Sequence, residues 1–387
     1  MGAVPADIPL PVANGIAIAR QPIHDRWQRA IGYELLFRGG GELGAIDEER
    51  AIATTIVETF TGVGLPALVG RRRAHVRVSR RFLLELHPFA LPPDRVVLEV
   101  PAPDRHDAPV LTVLERLAAE RFRIALICNP REAPPPPAVL RFASAVKLDV
   151  RGLSDDELAE CARRYGAATD TLFAAGVDTP ALLRRCRALG FHAFQGFFHC
   201  TPDLVVSHAP PSSRLRELRS LAGIYAPGVS FEEFERVITR DAGLSYRLLC
   251  YLNSAFFHLP RTVSSVREAL TMLGMRAVRR GATLVALSST DHKPNELTIA
   301  TLLRARLCEL IGRHRPAPTV GADAFFTVGL FSLADAIVDA PLADVLEALP
   351  LSDEVRVALL ERRGPMGEAL AGVAAYERGD VASVGRY

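Results

Sequence analysis

The feature that most constrains the fold is an alternation of short apolar segments with helical segments in the first half of the chain. Strand-like segments occupy residues 74–79, 95–100, 122–128, 145–150, 171–177 and 193–198, and helical patterns occupy residues 48–60, 110–120, 155–165 and 179–189. Strands that alternate with helices of roughly 10–15 residues favour a parallel α/β sheet. About seven such units in about 200 residues suit a closed TIM-like (β/α) barrel, in which ligand-binding groups lie at the carboxyl ends of the strands.

An acid and a base stand near the start of this series. Residues 20–25 form a short strand that runs into a turn, and residues 30–38 form an apolar strand that carries Glu34 and Arg38. Residues four apart in a strand share one face. A carboxylate that can bind metal and a guanidinium that can bind phosphate suit a phosphodiester substrate. The structural alternative is that Glu34 is an ordinary residue at the edge or mouth of the sheet.

The second half of the chain has a different pattern. Residues 208–213 are predicted as a linker, and beyond it no segment has a convincing strand pattern. Ser230 with Glu233 and Ser265 with Glu268 match the capping box that begins a helix. Further helices are predicted over residues 244–252, 297–311, 324–338, 341–349, 352–361 and 366–377. We therefore expect a barrel domain over residues 1–207 and an all-α domain over residues 214–387.

Composition limits the classes of partner and the compartment. The net charge is +2, which does not favour a polyanion binder such as a nucleic-acid-binding protein. The six cysteines lack metal-ligand spacing, so buried cytosolic thiols are expected and a zinc site is not. No apolar run approaches the roughly 20 residues of a membrane span, and no signal peptide is visible. A cytoplasmic protein without a membrane partner is predicted.

The motifs of residues 14–205 resemble those of EAL domains, the bacterial phosphodiesterases of cyclic di-GMP. Gln21-Pro22-Ile23, the strand with Glu34 and Arg38, and Gln195-Gly196 near the end fall at matching intervals. The resemblance implies a barrel and a nucleotide site at its mouth. It also implies that Gln21, Leu35, Arg38 and Gln195 are the contacts to cyclic di-GMP that involve no metal. The alternative is that these four residues are retained only as barrel structure.

Several positions of the EAL metal site are changed. The resemblance identifies Glu34, Glu99, Lys147 and a shortened acid, Asp178, as what remains of the site. Arg77 replaces an Asn ligand, Ile127 and Cys128 replace two Asp, and Ala175 replaces a Glu. Because paired carboxylates are needed to bridge two metal ions, we expect no metal, no cofactor and no two-metal hydrolysis. Arg77 is expected to form an ion pair with Glu34 or Glu99, unless it points outward.

The second half resembles the HDOD domain, a relative of the metal-dependent HD phosphohydrolases. Asp241-Ala242-Gly243-Leu244, Asn253-Ser254-Ala255-Phe256 and Ala269-Leu270 with Leu273-Gly274 match its signature. The His-Asp pair of the enzymes is missing, because Ser332-Leu333 follows Gly329-Leu330-Phe331, and Asp335 is predicted to be a solvated or capping acid. Phe331 and Leu333 are expected to fill the ancestral pocket of an interaction module; the alternative is that they only complete the core.

These features predict a two-domain signalling protein with a degenerate EAL domain that is not an enzyme. The leading expectation is a regulator in a cyclic di-GMP network that acts by binding other signalling proteins, and a homodimer is compatible with it. The second is an effector that binds cyclic di-GMP without cleaving it. The third, less favoured because of Ile127 and Cys128, is an active phosphodiesterase.

Overall fold

A computed structural model describes residues 16–39, 64–85, 91–103, 107–167, 169–203, 212–226, 228–254, 262–288, 293–315 and 320–380. The helix predicted over residues 48–60 lies outside the described residues, as do residues 208–211 of the predicted linker. The chain divides into two compact units, Met1–Phe198 and His199–Tyr387.

The first unit is a closed barrel of eight strands, as the sequence predicts. The strands are β1 Ile16–Asp25, β2 Ala30–Gly39, β3 Arg73–Arg77, β4 Val96–Pro101, β5 Arg123–Cys128, β6 Ala145–Asp149, β7 Leu172–Ala175 and β8 Ala193–Gln195. They pair in chain order, and β8 pairs with β1. Strand β1 is antiparallel to both of its neighbours, whereas all other pairs are parallel. The expectation of a purely parallel sheet is therefore corrected, because a turn over residues 26–29 is too short for a parallel crossover.

Helices follow the parallel strands and pack on the outside of the barrel. They are α1 Leu65–Val69, α2 Arg80–Glu85, α3 Ala108–Ala119, α4 Pro137–Leu140, α5 Asp155–Gly166 and α6 Pro180–Ala188. The Ser154–Glu157 capping box starts α5, and the Thr179 side chain caps α6. Every second strand residue faces these helices, so Leu98, Ile124 and Leu148 are fully buried in the layer between sheet and helices.

The second unit contains only helices among its described residues. They are α7 Ser212–Ile224, α8 Phe231–Thr239, α9 Ala242–Leu252, α10 Val266–Ser288, α11 Asn295–His314, α12 Ala322–Phe331, α13 Ala334–Val338, α14 Leu342–Glu347, α15 Asp353–Leu360 and α16 Gly364–Arg378. Helix α7 begins inside the predicted linker. Gly274 interrupts α10 with φ of 77° and ψ of 160°, and the helix resumes beyond the predicted end. The predicted helix over residues 324–338 is divided at Ser332 and Leu333.

None of the helices in the described part of the chain is both long and apolar enough to cross a membrane. The predicted cytoplasmic location stays a prediction.

Candidate functional site

Four polar side chains meet inside the barrel, one from each even-numbered strand. They are Glu34 on β2, Glu99 on β4, Lys147 on β6 and Gln195 on β8. In eight-stranded α/β barrels the inward side chains form layers of four that alternate strands contribute. These four residues follow that rule, with polar groups where a barrel interior usually has branched apolar ones. All four are buried, at 0–8% exposure.

Lys147 joins the two carboxylates. Its Nζ lies 2.9 Å from Glu34 Oε2 and 2.6 Å from Glu99 Oε2. The ring of Phe173 lies beneath the ammonium, 5.0 Å from Nζ to the ring centroid. An ammonium group has three hydrogen-bond donors. Two are directed at the carboxylates, so the third can donate to a ligand.

Glutamine side chains extend the layer on the Glu34 side. Gln195 Nε2 donates to Glu34 Oε2 and to Gln21 Oε1, the latter at 2.8 Å. The amide nitrogen faces two acceptors, which fixes the orientation of the amide, since the reverse orientation would place oxygen against the Glu34 carboxylate. Gln195 Oε1 is then buried and has no hydrogen-bond partner among the described residues. A buried acceptor of this kind costs about 1–3 kcal/mol unless a ligand or water satisfies it.

A tight turn places Gln195 at the end of β8. Gly196 has a φ of 155°, and a Cβ at this position would lie 2.0 Å from the carbonyl oxygen of Val177. Only glycine allows this approach of two backbones. The Gln-Gly pair of the sequence motif therefore has a structural cause.

The electrostatics of the layer are dominated by Lys147. Burial alone would raise the pKa of Glu99, but the charge of Lys147 and hydrogen bonds from His75 and Lys147 outweigh it and lower that pKa from 4.5 to about 2. Burial would lower the pKa of Lys147, yet Glu99 and Glu34 raise it. Glu99 and Lys147 therefore stay charged across the physiological range.

Arg77 does not have the role expected of it. It is exposed at the carboxyl end of β3, next to Glu99 in the strand register. Among the described residues, the ion-pair partners of Glu34 and Glu99 are Lys147 and, for Glu99 Oε1, His75 Nδ1 at 3.0 Å. The expected pairing with Arg77 is wrong because Lys147 reaches both acids from the opposite side of the barrel. His75 was missed, although its position two residues before Arg77 indicates the same face.

Leu35 lies on the wrong face of β2 to line the site with Glu34. It is 3% exposed and belongs to the core between sheet and helices. Leu36 alternates onto the Glu34 face and is half-buried. This corrects the choice of Leu35 as a ligand contact, and Leu36 takes the leucine position of the Glu-x-Leu-x-Arg motif. The Arg38 backbone lies in β2, and its side chain is outside the described residues, so its phosphate contact stays a prediction.

The positions where the EAL pattern is changed lie on both sides of the sheet. Ile127 alternates onto the inner face of β5 and Cys128 onto the outer face. Burial raises the pKa of the Cys128 thiol to about 12. Ala175 ends β7. Asp178 Oδ1 accepts a hydrogen bond from the backbone N–H of Phe197 at 3.0 Å.

The described residues do not fit a divalent metal site of the EAL kind. Mg²⁺ requires near-octahedral oxygen ligation. Glu34 and Glu99 are both bonded to Lys147, and Asp149 is bonded to Arg151. No group of three or more His, Cys, Asp or Glu residues in the described ranges is arranged to hold a metal ion.

The helical unit buries the residues expected to fill its pocket. Phe331 and Leu333 are 0% and 3% exposed and lie in the main core. Their side chains therefore do not form a binding surface. Nearby, burial raises the pKa of Asp335, which is largely buried and not the solvated acid that was expected. Its Oδ1 accepts a hydrogen bond from the Ala336 N–H at 2.8 Å, in keeping with the capping alternative. The partner protein and the homodimer stay predictions.

Comparison with known proteins agrees with this division of the chain. Residues 211–348 match the HDOD domain family model. A Vibrio cholerae protein named cyclic di-GMP phosphodiesterase CdgJ is 29% identical over 372 residues, which cover 94% of this chain and 85% of the relative. The Bacillus subtilis protein YuxH, whose function is uncharacterized, is 26% identical over 361 residues, covering 89% of this chain and 86% of that protein.

The solved structures that match cover about half of the chain. A Klebsiella pneumoniae BlrP1 complex with calcium and cyclic di-GMP has a TM-score of 0.39 and 21% identity, and the match covers 48% of this chain and 55% of that one.

The chain combines a closed barrel with a helical unit in which residues 211–348 match the HDOD family model, and its motifs and its similarity to CdgJ support the EAL–HDOD architecture. The expectation that it is a non-catalytic regulator and not an enzyme is wrong. It is overturned by CdgJ, which is similar over nearly the whole chain and is named a phosphodiesterase. The changes at Arg77, Ile127, Cys128 and Ala175 do not establish a degenerate domain.

Proposed function

We propose that the protein is a cyclic di-GMP phosphodiesterase whose site is the layer of Glu34, Glu99, Lys147 and Gln195. The observation that carries the proposal is similarity over 94% of the chain to CdgJ, which is named a cyclic di-GMP phosphodiesterase. The layer supports it, since it provides a buried cation with a remaining donor and a buried acceptor, Gln195 Oε1, that has no partner in the described part of the chain.

Hydrolysis of a phosphodiester makes demands that these side chains can meet. The oxygen of water bonds to phosphorus, the bond from phosphorus to one ribose oxygen breaks, and a proton ends on that released oxygen. Negative charge grows on the phosphoryl oxygens in the transition state, and a fixed cation stabilises it. Lys147 supplies this cation.

Orientation of the nucleotide is the proposed role of the two glutamines. Gln195 Oε1 can accept an N–H or O–H from the ligand, and Gln21 is half-buried beside it. Fixing the phosphate relative to Lys147 lowers the entropic part of the barrier.

The test is to incubate the full chain with cyclic di-GMP and to separate the linear dinucleotide by chromatography. We expect turnover of about 1 s⁻¹ or more, the range of ordinary enzymes, and its loss in Glu34→Gln, which keeps the shape of the side chain and removes its charge. Glu232→Gln, at an exposed position in α8, is the matched control. Equal product formation by the wild type and Glu34→Gln would overturn the proposal.

A further inference from the structure

The cation shared by Glu34 and Glu99 belongs to the protein itself. Lys147 Nζ bonds one oxygen of each carboxylate, at 2.9 and 2.6 Å. An ion that is to lie at this place between the two carboxylates competes with the ammonium for these two oxygens. The side chain of Lys147 is 8% exposed and that of Glu99 is 0% exposed, so the contact is protected from competing water.

The other acids near these strand ends are engaged as well. Glu99 Oε1 is bonded to His75 Nδ1 at 3.0 Å. Asp149 bonds Arg151 Nε through both oxygens, at 2.9 and 3.1 Å. Asp178 Oδ1 accepts a backbone N–H, so each of these acids already has at least one oxygen engaged within the protein.

The choice of lysine is itself informative in this chain. Among 46 Lys and Arg residues only Lys147 and Lys293 are lysines. An ammonium is a compact point charge, whereas a guanidinium is a planar fork whose paired N–H groups match the two oxygens of one carboxylate. A compact cation is what two carboxylates from different strands can share. A tethered cation also needs no capture from solution, unlike a free metal ion.

We propose that the ammonium of Lys147 replaces a divalent metal ion between Glu34 and Glu99, and that its third N–H binds a phosphate oxygen of cyclic di-GMP. The second half of this inference rests on the proposed function, because it takes the nucleotide as the ligand. The first half concerns only the cation that the two acids hold.

One experiment tests whether Lys147 or a divalent metal ion lies between the two acids. Mn²⁺ is titrated into the full chain after chelator treatment, and free Mn²⁺ is followed by electron paramagnetic resonance. We expect the wild type, Glu34→Gln, Glu99→Gln and Lys293→Met to bind the same amount of Mn²⁺. Lys293 is the matched control, since it also forms an ion pair, with Asp339 at 2.6 Å, in the other unit. Lys147→Met should bind additional Mn²⁺, because it frees both carboxylates.

Binding of the nucleotide is measured separately, by the fluorescence anisotropy of labelled cyclic di-GMP. In the wild type the dissociation constant should change by less than about twofold between EDTA and Mg²⁺, and Lys147→Met should raise it by about tenfold or more. Lys293→Met should leave it unchanged.

Two results would overturn the inference. One is Mn²⁺ bound by the wild type and lost in Glu34→Gln or Glu99→Gln, a comparison that does not depend on whether Lys147→Met folds. The other is cyclic di-GMP binding that EDTA abolishes. Failure of the proposed function is distinguishable, because a chain that produces no linear dinucleotide can still show the expected Mn²⁺ result. Hydrolysis that requires Mn²⁺ seated on Glu34 would uphold the function and reject this inference.

Discussion

The barrel and the helical unit both bury charge, but they satisfy it differently. In the barrel one ammonium, Lys147, is shared by two carboxylates, Glu34 and Glu99. In the helical unit Arg304 on α11 faces one carboxylate, Glu377 on α16, with contacts of 2.8–3.0 Å through Nε and Nη2. The planar guanidinium matches the geometry of a single carboxylate and bonds both of its oxygens. The shared ammonium uses two of its three N–H donors on the carboxylates and keeps one for a ligand.

This difference separates a site from a structural contact. The barrel layer has hydrogen-bonding capacity that the described protein groups do not use, at Lys147 Nζ and Gln195 Oε1. The Arg304–Glu377 pair joins two helices of the core. Both oxygens of Glu377 are bonded to the Arg304 guanidinium. A ligand is therefore expected at the barrel layer.

The largest expected effect comes from removing Lys147. Lys147→Met leaves two buried carboxylates without their cation, which should destabilise the barrel by about 3–5 kcal/mol. Hydrogen exchange measured peptide by peptide would report the barrel separately from the helices. The control is the triple variant Glu34→Gln, Glu99→Gln, Lys147→Met, which removes all three charges and should recover most of the loss. A triple variant no more stable than Lys147→Met would show that packing, not charge, holds the layer.

The next effect is expected at Arg304. Arg304→Met leaves Glu377 unpaired, but the Glu377 side chain is 19% exposed and can be partly hydrated. We expect a loss of about 1–3 kcal/mol in the helical unit, with the barrel peptides unchanged. A loss in the helical unit as large as that of Lys147→Met in the barrel would mean that sharing one cation between two acids has no special cost.

Acid should affect the two units in opposite directions through one residue in each. The pKa of Glu99 is lowered to about 2, because the effects of Lys147 and His75 outweigh the opposing effect of burial. Glu99 therefore stabilises the barrel above pH 4.5, and this contribution is lost as the pH falls towards 2. Burial raises the pKa of Asp335 above 3.8. Asp335 therefore stabilises the helical unit below pH 3.8, and this contribution is lost as the pH rises through its folded pKa.

Hydrogen exchange of barrel and helical-unit peptides, measured between pH 2 and 6, would check whether acid destabilises the barrel and stabilises the helical unit. Glu99→Gln should flatten the acid loss in barrel peptides, and Asp335→Asn should remove the gain in peptides of α12 and α13. If Glu99→Gln loses stability with acid as steeply as the wild type does, the low pKa of Glu99 is not the cause.

The fold could be predicted from the sequence because the spacing of apolar residues, which distinguishes strands from helices, is a local property of the chain. Alternating strands and helices predict the barrel, and capping boxes at Ser230 and Ser265 predict the change to helices. Strands β1 and β2 are antiparallel because the turn over residues 26–29 is too short for a parallel connection. The strand pattern alone does not show this. The break at Ser332 was missed because the apolar pattern continues through it.

The site was predicted less completely, because contacts across a barrel are not local. Motif positions identified Glu34, Glu99, Lys147 and Gln195, and the structure brings their side chains together; their role as a site stays a prediction. Which cation pairs with the acids depends on reach across the lumen, so Arg77 was chosen where Lys147 is found. The predicted function was wrong because changes at individual ligand positions do not exclude the activity that similarity to CdgJ over nearly the whole chain supports.

The smallest effect is expected at an ion pair that looks as well formed as Arg304–Glu377. Arg267 bonds Glu235 Oε2 through Nε at 2.9 Å and through Nη2 at 2.5 Å. The Arg267 side chain is 69% exposed, so water and salt screen the attraction, and holding the long side chain in place costs entropy. Arg267→Met should leave exchange in α8 and α10 unchanged within error. A loss matching that of Arg304→Met would show that bond geometry, and not burial, determines the value of these pairs, and the contrast between the barrel and the helical unit would then need another cause.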